Sequence, residues 1–368
     1  MLVKLRPTTK QLPKQNKLKH AVQLDALRAI AVFSVLIYHW LPKQLFLNST
    51  FEIGFLGVKF FFVLSGFLIT LVLLEYRDKI ALKPQTFWQT IRRFYIRRCL
   101  RIFPGYYLTI FFTSIFLLKL HPSFIWHLSY TSNFYYSWHK WDINSPFWSL
   151  AIEYQFYLFW PFVIFLVPKP HLEKVILSTI FVAPIFKILC LGMAWNGIRI
   201  NLLTPACLDS LALGALLAFY TYNQNQAQAK KSLCNWGLWL GGSLSVFLII
   251  TKQYVDPGIR LIVTDSVNAF FFVWLIDRAA RGFSDITGTI LEFKPLVYVG
   301  KISYGIYVYH SFIAALVVPK MLSYVGVAYP RSVAIQFVLN TLTTILLAML
   351  SWKYIEQPIN NLKRNYKI

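Results

Sequence analysis

Residues Leu24–His39 read LDALRAIAVFSVLIYH, a run apolar enough to enter a bilayer that nonetheless carries Asp25, Arg28 and His39. Ionisable side chains at membrane depth are costly, rare and tied to function. Arg28 and His39 stand eleven positions apart, which at 100° per residue returns to within about 20° of one helix face, about 16 Å further along it. One face of one membrane helix therefore presents a guanidinium low and an imidazole high. Asp25, at i,i+3 from Arg28, is read as an orienting or purely structural ion-pair partner.

The rest of the chain has the same character. Of its 368 residues 57% are hydrophobic, 18% aromatic and only 14% charged, and the mean hydropathy is +0.53, which excludes a water-soluble domain. A net charge of +23 in a soluble chain would point to nucleic acid. Here Lys and Arg cluster at the ends of apolar runs, so they are read as topology signals and contacts with membrane lipids, with no nucleic-acid partner.

Apolar runs of spanning length fall at about 21–42, 54–75, 102–120, 147–167, 174–195, 205–222, 233–251, 259–277, 301–323 and 331–355. The fold class is an all-α integral membrane protein, a polytopic bundle of about ten transmembrane helices. An even number of spans puts both termini on one side, and the positive-inside rule makes that side cytoplasmic: positions 1–20 carry six bases and no acid, and 77–101 hold eight Lys or Arg. The expected organisation is a basic cytoplasmic segment over 1–20, one transmembrane domain over 21–358 and a basic cytoplasmic tail over 359–368. The first run is long, charged and lacks a small-x-small cleavage site, so it reads as an uncleaved span rather than a signal peptide.

Several features admit plain packing roles. Cys99, Cys190, Cys207 and Cys234 show no CxxC spacing and read as packing residues, a Cys190–Cys207 bridge being the alternative for that pair. Gly54, Gly57 and Gly66, with Ser65, lie among large apolar side chains where small residues let helices approach closely. The aromatic stretch 121–146 reads as an interface belt or lid, one or two of its rings stacking on sugar.

Other residues suggest chemistry. Arg98 and Arg101, at i,i+3, share a helix face and form a fork suited to phosphate. Glu153 lies in SPFWSLAIEYQFY, one turn after Trp148 and Ser149, and needs a partner inside an apolar helix; His39 is the expected one. Asp209 opens the sixth span, where a helix N-terminus already welcomes an acid, or it serves the surroundings of His39. VGKISYGIYVYH supplies Lys301, Ser303, Tyr304 and His310; Lys301 either snorkels to the interface or joins the arginines. Histidines are scattered without ligand spacing, so no metal is predicted.

In this order the segments LDALRAIAV with the Arg-x10-His spacing of Arg28 and His39, FFVLSGFLI, Arg98-x-x-Arg101 leading into RIFP, FWSLAIEYQFY, GKISYGIYVYH and the closing EQPI resemble the transmembrane acyltransferase-3 family, over about Leu24 to Pro358. Its bacterial members O-acylate surface and secreted carbohydrates. The resemblance implies a multi-pass enzyme of the bacterial cytoplasmic membrane that takes an acyl group from cytoplasmic acyl-CoA, acetyl-CoA above all, to a carbohydrate or other envelope acceptor at the outer face. It implies that Arg28 and His39 are needed for activity and that Arg98 and Arg101 engage CoA. Many relatives also carry a soluble SGNH-type domain; a sequence ending EQPINNLKRNYKI is expected to do without one.

The mechanism expected from these pieces has Arg98 and Arg101, with Arg28 or Lys301, holding CoA phosphates at the cytoplasmic mouth, and Arg28 and His39 lining one continuous passage. His39 acts as general base with Glu153 as its orienting group, while Trp148, Ser303, Tyr304 and His310 meet the substrate or the oxyanion. A covalent acyl-enzyme is the alternative course. The competing function is a transporter or flippase of a polar or lipid-linked molecule, which predicts pseudo-symmetric halves that this sequence does not display.

Overall fold

The structure, a computed structural model, describes residues 21–82, 86–117 and 121–366. Ten of its helices are long and apolar enough to span a membrane: α1 Val22–Trp40, α2 Ile53–Leu82, α3 Phe87–Leu117, α4 Ser145–Leu166, α5 Lys169–Gly192, α6 Thr204–Tyr222, α7 Ala227–Ile250, α8 Pro257–Arg281, α9 Ser303–Tyr324 and α10 Val333–Tyr366. They coincide in number and order with the ten apolar runs. No strand occurs among the described residues.

α2 and α6 are the most enclosed of the ten, and two glycines explain how closely they lie. A Cβ on Gly66 would fall 1.9 Å from the Leu211 carbonyl oxygen, and one on Gly214 would fall 1.9 Å from that of Val63. Each glycine is thus the hollow that receives the other helix's backbone, the close approach small residues allow in membranes. A short helix, Lys294–Lys301, lies against α1 by the same device, Gly300 facing the Asp25 carbonyl.

The basic stretch 77–101 is helical on both sides rather than a loop. α2 runs on to Leu82 and α3 starts at Phe87, well before the apolar run at 102. Arg77 on the extension donates to the Ile164 and Val167 carbonyls, 2.7 Å each, which are among the orphan acceptors at the end of α4. At the other end of the chain α10 continues through Gln357–Asn361 into a 3-10 turn, Leu362–Tyr366, that packs against α3, so the described part of the expected tail is helical. The segment 1–20, with its basic cluster, lies outside the described residues.

All four cysteines are free thiols. Cys207 Sγ instead accepts a hydrogen bond from Lys59, 3.3 Å. Lys59 and Lys187, both fully buried, converge on one oxygen of Asp265 at 2.8 and 2.6 Å. This triad ties α2, α5 and α8 together. Asp209 belongs to the same neighbourhood and not to that of His39: it accepts from the Ser210 amide at 2.6 Å and from Ser266 at 2.7 Å.

Between α3 and α4 the aromatic stretch forms two short helices, Phe124–Leu128 and Ser132–Trp138. Its rings divide: Trp126, Phe134, Trp138 and Trp141 are exposed, while Tyr135 and Tyr136 are buried and Tyr130 stacks between Tyr106 and Tyr154, with centroids at 4.3 and 4.2 Å. The buried His127 Nε2 donates to Tyr136, 2.9 Å, which donates to Asp142, 2.6 Å. Burial holds the His127 imidazole down at about 4, so it is neutral near pH 7.

Candidate active site

Six of the residues singled out in the sequence meet in one cavity of about 330 Å³ between α1, α2, α3, α4 and α9: Arg28, Arg98, Arg101, Glu153, Ser303 and Tyr304. On α2 its lining extends from Val58 to Val72, fourteen positions or about 21 Å of helix. The chamber is therefore long and narrow, and runs parallel to the helices. Of its lining residues Arg101 is the exposed one, which places the mouth at the arginine end.

That end is cationic. Arg28 is held by Asp25 at 2.6 Å, the pair the i,i+3 spacing predicts. Arg98 lies over the faces of Phe94 and Tyr157, 5.6 and 6.0 Å from their centroids. Among the described residues neither Arg98 nor Arg101 forms a salt bridge, although Glu153 lines the same chamber. The Glu153 carboxylate is engaged by neutral groups instead: one oxygen accepts from Ser65 at 3.1 Å and the other from Tyr157 at 2.9 Å.

The expected Glu153–His39 contact is not formed. Glu153 sits one turn beyond Ser149 toward the arginines, and Tyr307 fills the space between Ser149 and the imidazoles. Tyr307 donates to the Pro146 carbonyl, 2.7 Å, and its oxygen lies 2.6 Å from the Ser149 hydroxyl. With Phe61 and Val58, Tyr307 forms the end of the chamber lining opposite the mouth.

Beyond Tyr307 the structure brings together two histidines from distant parts of the sequence. The His39 and His310 ring centroids are 5.0 Å apart in an edge-on arrangement. His310 is buried, and its Nδ1 lies 2.5 Å from the Tyr307 carbonyl. A carbonyl only accepts, so Nδ1 carries the proton and Nε2 keeps its lone pair. His39 is exposed. Neither imidazole lines the chamber, so the continuous passage expected from Arg28 to His39 is not formed; Tyr307 lines the chamber and lies next to His310, with centroids 5.6 Å apart.

Three other expectations change. Trp148 is a core residue, packed edge-on against Phe62 at 6.2 Å, and does not line the chamber. Lys301 is exposed at the end of its short helix and stands apart from the chamber lining, as snorkelling predicts. Tyr304 lines the chamber, but its hydroxyl is committed to the Ile102 carbonyl, so it presents a ring there rather than an oxyanion donor. Ser65, Ser149, Tyr157 and Tyr307 also line the chamber and are not among the site residues expected from the sequence. The one available signal was hydroxyl-bearing side chains recurring inside strongly apolar helices.

Residues 22–353 match the family model described as an acyltransferase domain. The chain belongs to that family. It is 29% identical over 377 residues to the peptidoglycan O-acetyltransferase OatA of Listeria monocytogenes, covering 93% of this chain and 56% of that protein. It is 30% identical over 385 residues to a putative O-acetyltransferase of Staphylococcus aureus strain COL, covering 95% and 59%. With the O-acetyltransferase OatA of S. aureus strain NCTC 8325 the figures are 29% over 392 residues, 97% and 60%. The chain thus spans less than two thirds of the length of the curated relatives it matches. No solved structure matches it.

Proposed function

We propose that this chain moves an acyl group, acetyl by analogy with the names of its relatives, from acyl-CoA to a hydroxyl of an envelope glycan across a bacterial cytoplasmic membrane. The observation that carries the reading is the long chamber: three guanidiniums at an open mouth, two of them without a carboxylate partner among the described residues, and a pair of imidazoles beyond its closed end. Uncompensated guanidiniums at membrane depth are costly, and a planar fork recognises phosphate oxygens two at a time. Arg98, Arg101 and Arg28 hold the CoA phosphates in this scheme, and the extended arm of CoA fills the chamber toward Tyr307.

In this reading the mouth faces the cytoplasm: α3, which carries Arg92, Arg93 and Arg97, packs against the end of α10 that carries Lys353 and Arg364, a concentration of bases that the positive-inside rule favours on that side. His39, exposed at the opposite end, removes the proton from the acceptor hydroxyl, whose oxygen attacks the thioester carbonyl carbon. The carbon–sulfur bond breaks and the CoA sulfur takes up the proton. His310, fixed in one tautomer by the Tyr307 carbonyl, packs against His39 and orients it, the part first given to Glu153. Glu153 instead lies on the donor side as a hydrogen-bonded carboxylate among the arginines.

The relatives' names favour peptidoglycan as the first acceptor to test. Mass spectrometry of envelope glycans from cells with the gene, without it, and with His39→Ala checks the reading. The acetyl mass increment is expected only with the unaltered gene; its persistence with His39→Ala in a membrane-inserted protein would remove the base from the scheme.

A further inference from the structure

The chamber and the imidazole pair lie on opposite sides of one side chain. Tyr307 packs toward Phe61 on the chamber side, with centroids at 6.5 Å, and toward His310 on the other, at 5.6 Å. Its ring is buried, its hydroxyl is held by Pro146 and Ser149, and its own carbonyl sets the His310 tautomer. His39, by contrast, is open to its surroundings. A thioester that reached His39 unshielded would meet an accessible base, where water, the commoner hydroxyl, competes with the acceptor.

We infer that Tyr307 determines whether the acyl group goes to the acceptor or to water, by shielding the thioester in the donor chamber from the exposed base. This rests on the donor reading above. The reaction it suppresses is hydrolysis: His39 takes a proton from water, the water oxygen bonds to the acyl carbon, the carbon–sulfur bond breaks, and the CoA sulfur is protonated. The products are a free carboxylic acid and CoA. Exclusion of water is how closed sites protect reactive intermediates. Here two hydrogen bonds and one ring perform it, and productive transfer requires that ring to leave the line between chamber and imidazoles. The hydroxyl contacts with Ser149 and Pro146 make that displacement reversible and local to α9 and the start of α4.

The test uses the purified full chain in lipid nanodiscs with acetyl-CoA and no acceptor, reading CoA thiol release and, separately, acetyl-CoA binding. Tyr307→Ala is expected to raise acceptor-independent thiol release, normalised to the acetyl-CoA bound, by at least about tenfold over the unaltered protein, because the shield against water is lost. Tyr307→Phe keeps the ring and the carbonyl but loses the hydroxyl contacts, and Ser149→Ala loses one of them; both preserve core volume and are expected to give smaller rises. Adding His39→Ala to Tyr307→Ala is expected to return release to the starting level. Thiol release at the unaltered level in all three single variants, with acetyl-CoA still bound, would overturn the inference alone. Release that stays high without His39 would also overturn it. Failure of the unaltered protein to bind acetyl-CoA would overturn the donor reading and this inference with it.

Discussion

The two faces of α2 adjoin cations that are held in opposite ways. On one side Lys59 joins Lys187 on a shared Asp265 oxygen, with Asp209 nearby, and none of the four lines the chamber. On the other, Arg98 and Arg101 line a chamber while the nearest carboxylate, Glu153, is hydrogen-bonded to Ser65 and Tyr157. Buried charge that is fully paired holds helices together; breaking such a pair is strongly destabilising. Charge left unpaired beside an open chamber is suited to an anion from outside the chain. The same helix therefore serves as a clamp on one face and as the wall of a binding chamber on the other.

The contrast predicts opposite phenotypes for substitutions on the two faces. Asp265→Ala strands two buried lysines and should lower stability by about 3–5 kcal/mol, read as a large fall in thermal unfolding temperature in detergent. Acidification should act next on the aromatic segment. The His127 imidazole is held at about 4 against an unfolded value of 6.5, so its contribution is complete above pH 6.5 and is lost as pH falls toward 4. The loss is up to ~3 kcal/mol. His127→Gln should flatten that part of a stability profile measured between pH 7.5 and 4.5.

Arg98→Ala should leave the unfolding temperature near that of the unaltered protein while weakening acetyl-CoA binding by about 10–100-fold, the worth of one charge-assisted contact to phosphate. Equal losses of stability in Arg98→Ala and Asp265→Ala would erase the distinction between the two faces. The smallest effect is expected at Lys301, which is exposed and outside the chamber. Lys301→Ala should change donor affinity by less than about twofold, since an exposed charge is screened by solvent and salt.

The ten helices were legible because hydropathy over twenty residues is a local property, and α1 to α10 follow the apolar runs closely. The helical character of 77–101 was not legible from hydropathy, because its bases follow the apolar runs without interrupting a helix: α3 begins well before the apolar run at 102. Arg28, Arg98, Arg101 and Glu153 stood out as charges in apolar surroundings, and the chamber does collect them. Their partners were not legible. Which residue meets Glu153 depends on how α4 packs against α2, and helix placement rests on close contacts such as those of Gly66 and Gly214 between α2 and α6, whose reciprocity appears only in three dimensions. The His39–His310 pairing joins positions from opposite ends of the chain, and no periodicity within either segment encodes it.

The decisive measurement is binding of acetyl-CoA to the purified chain in nanodiscs, comparing the unaltered protein with Arg98→Ala/Arg101→Ala and with His39→Ala. Saturable binding is expected in the unaltered protein and in His39→Ala, and none in the double arginine variant over the same concentrations. Undiminished binding in the double variant, or its loss in His39→Ala with the fold intact, would contradict a donor held by the arginines and approached by the imidazole from the far side.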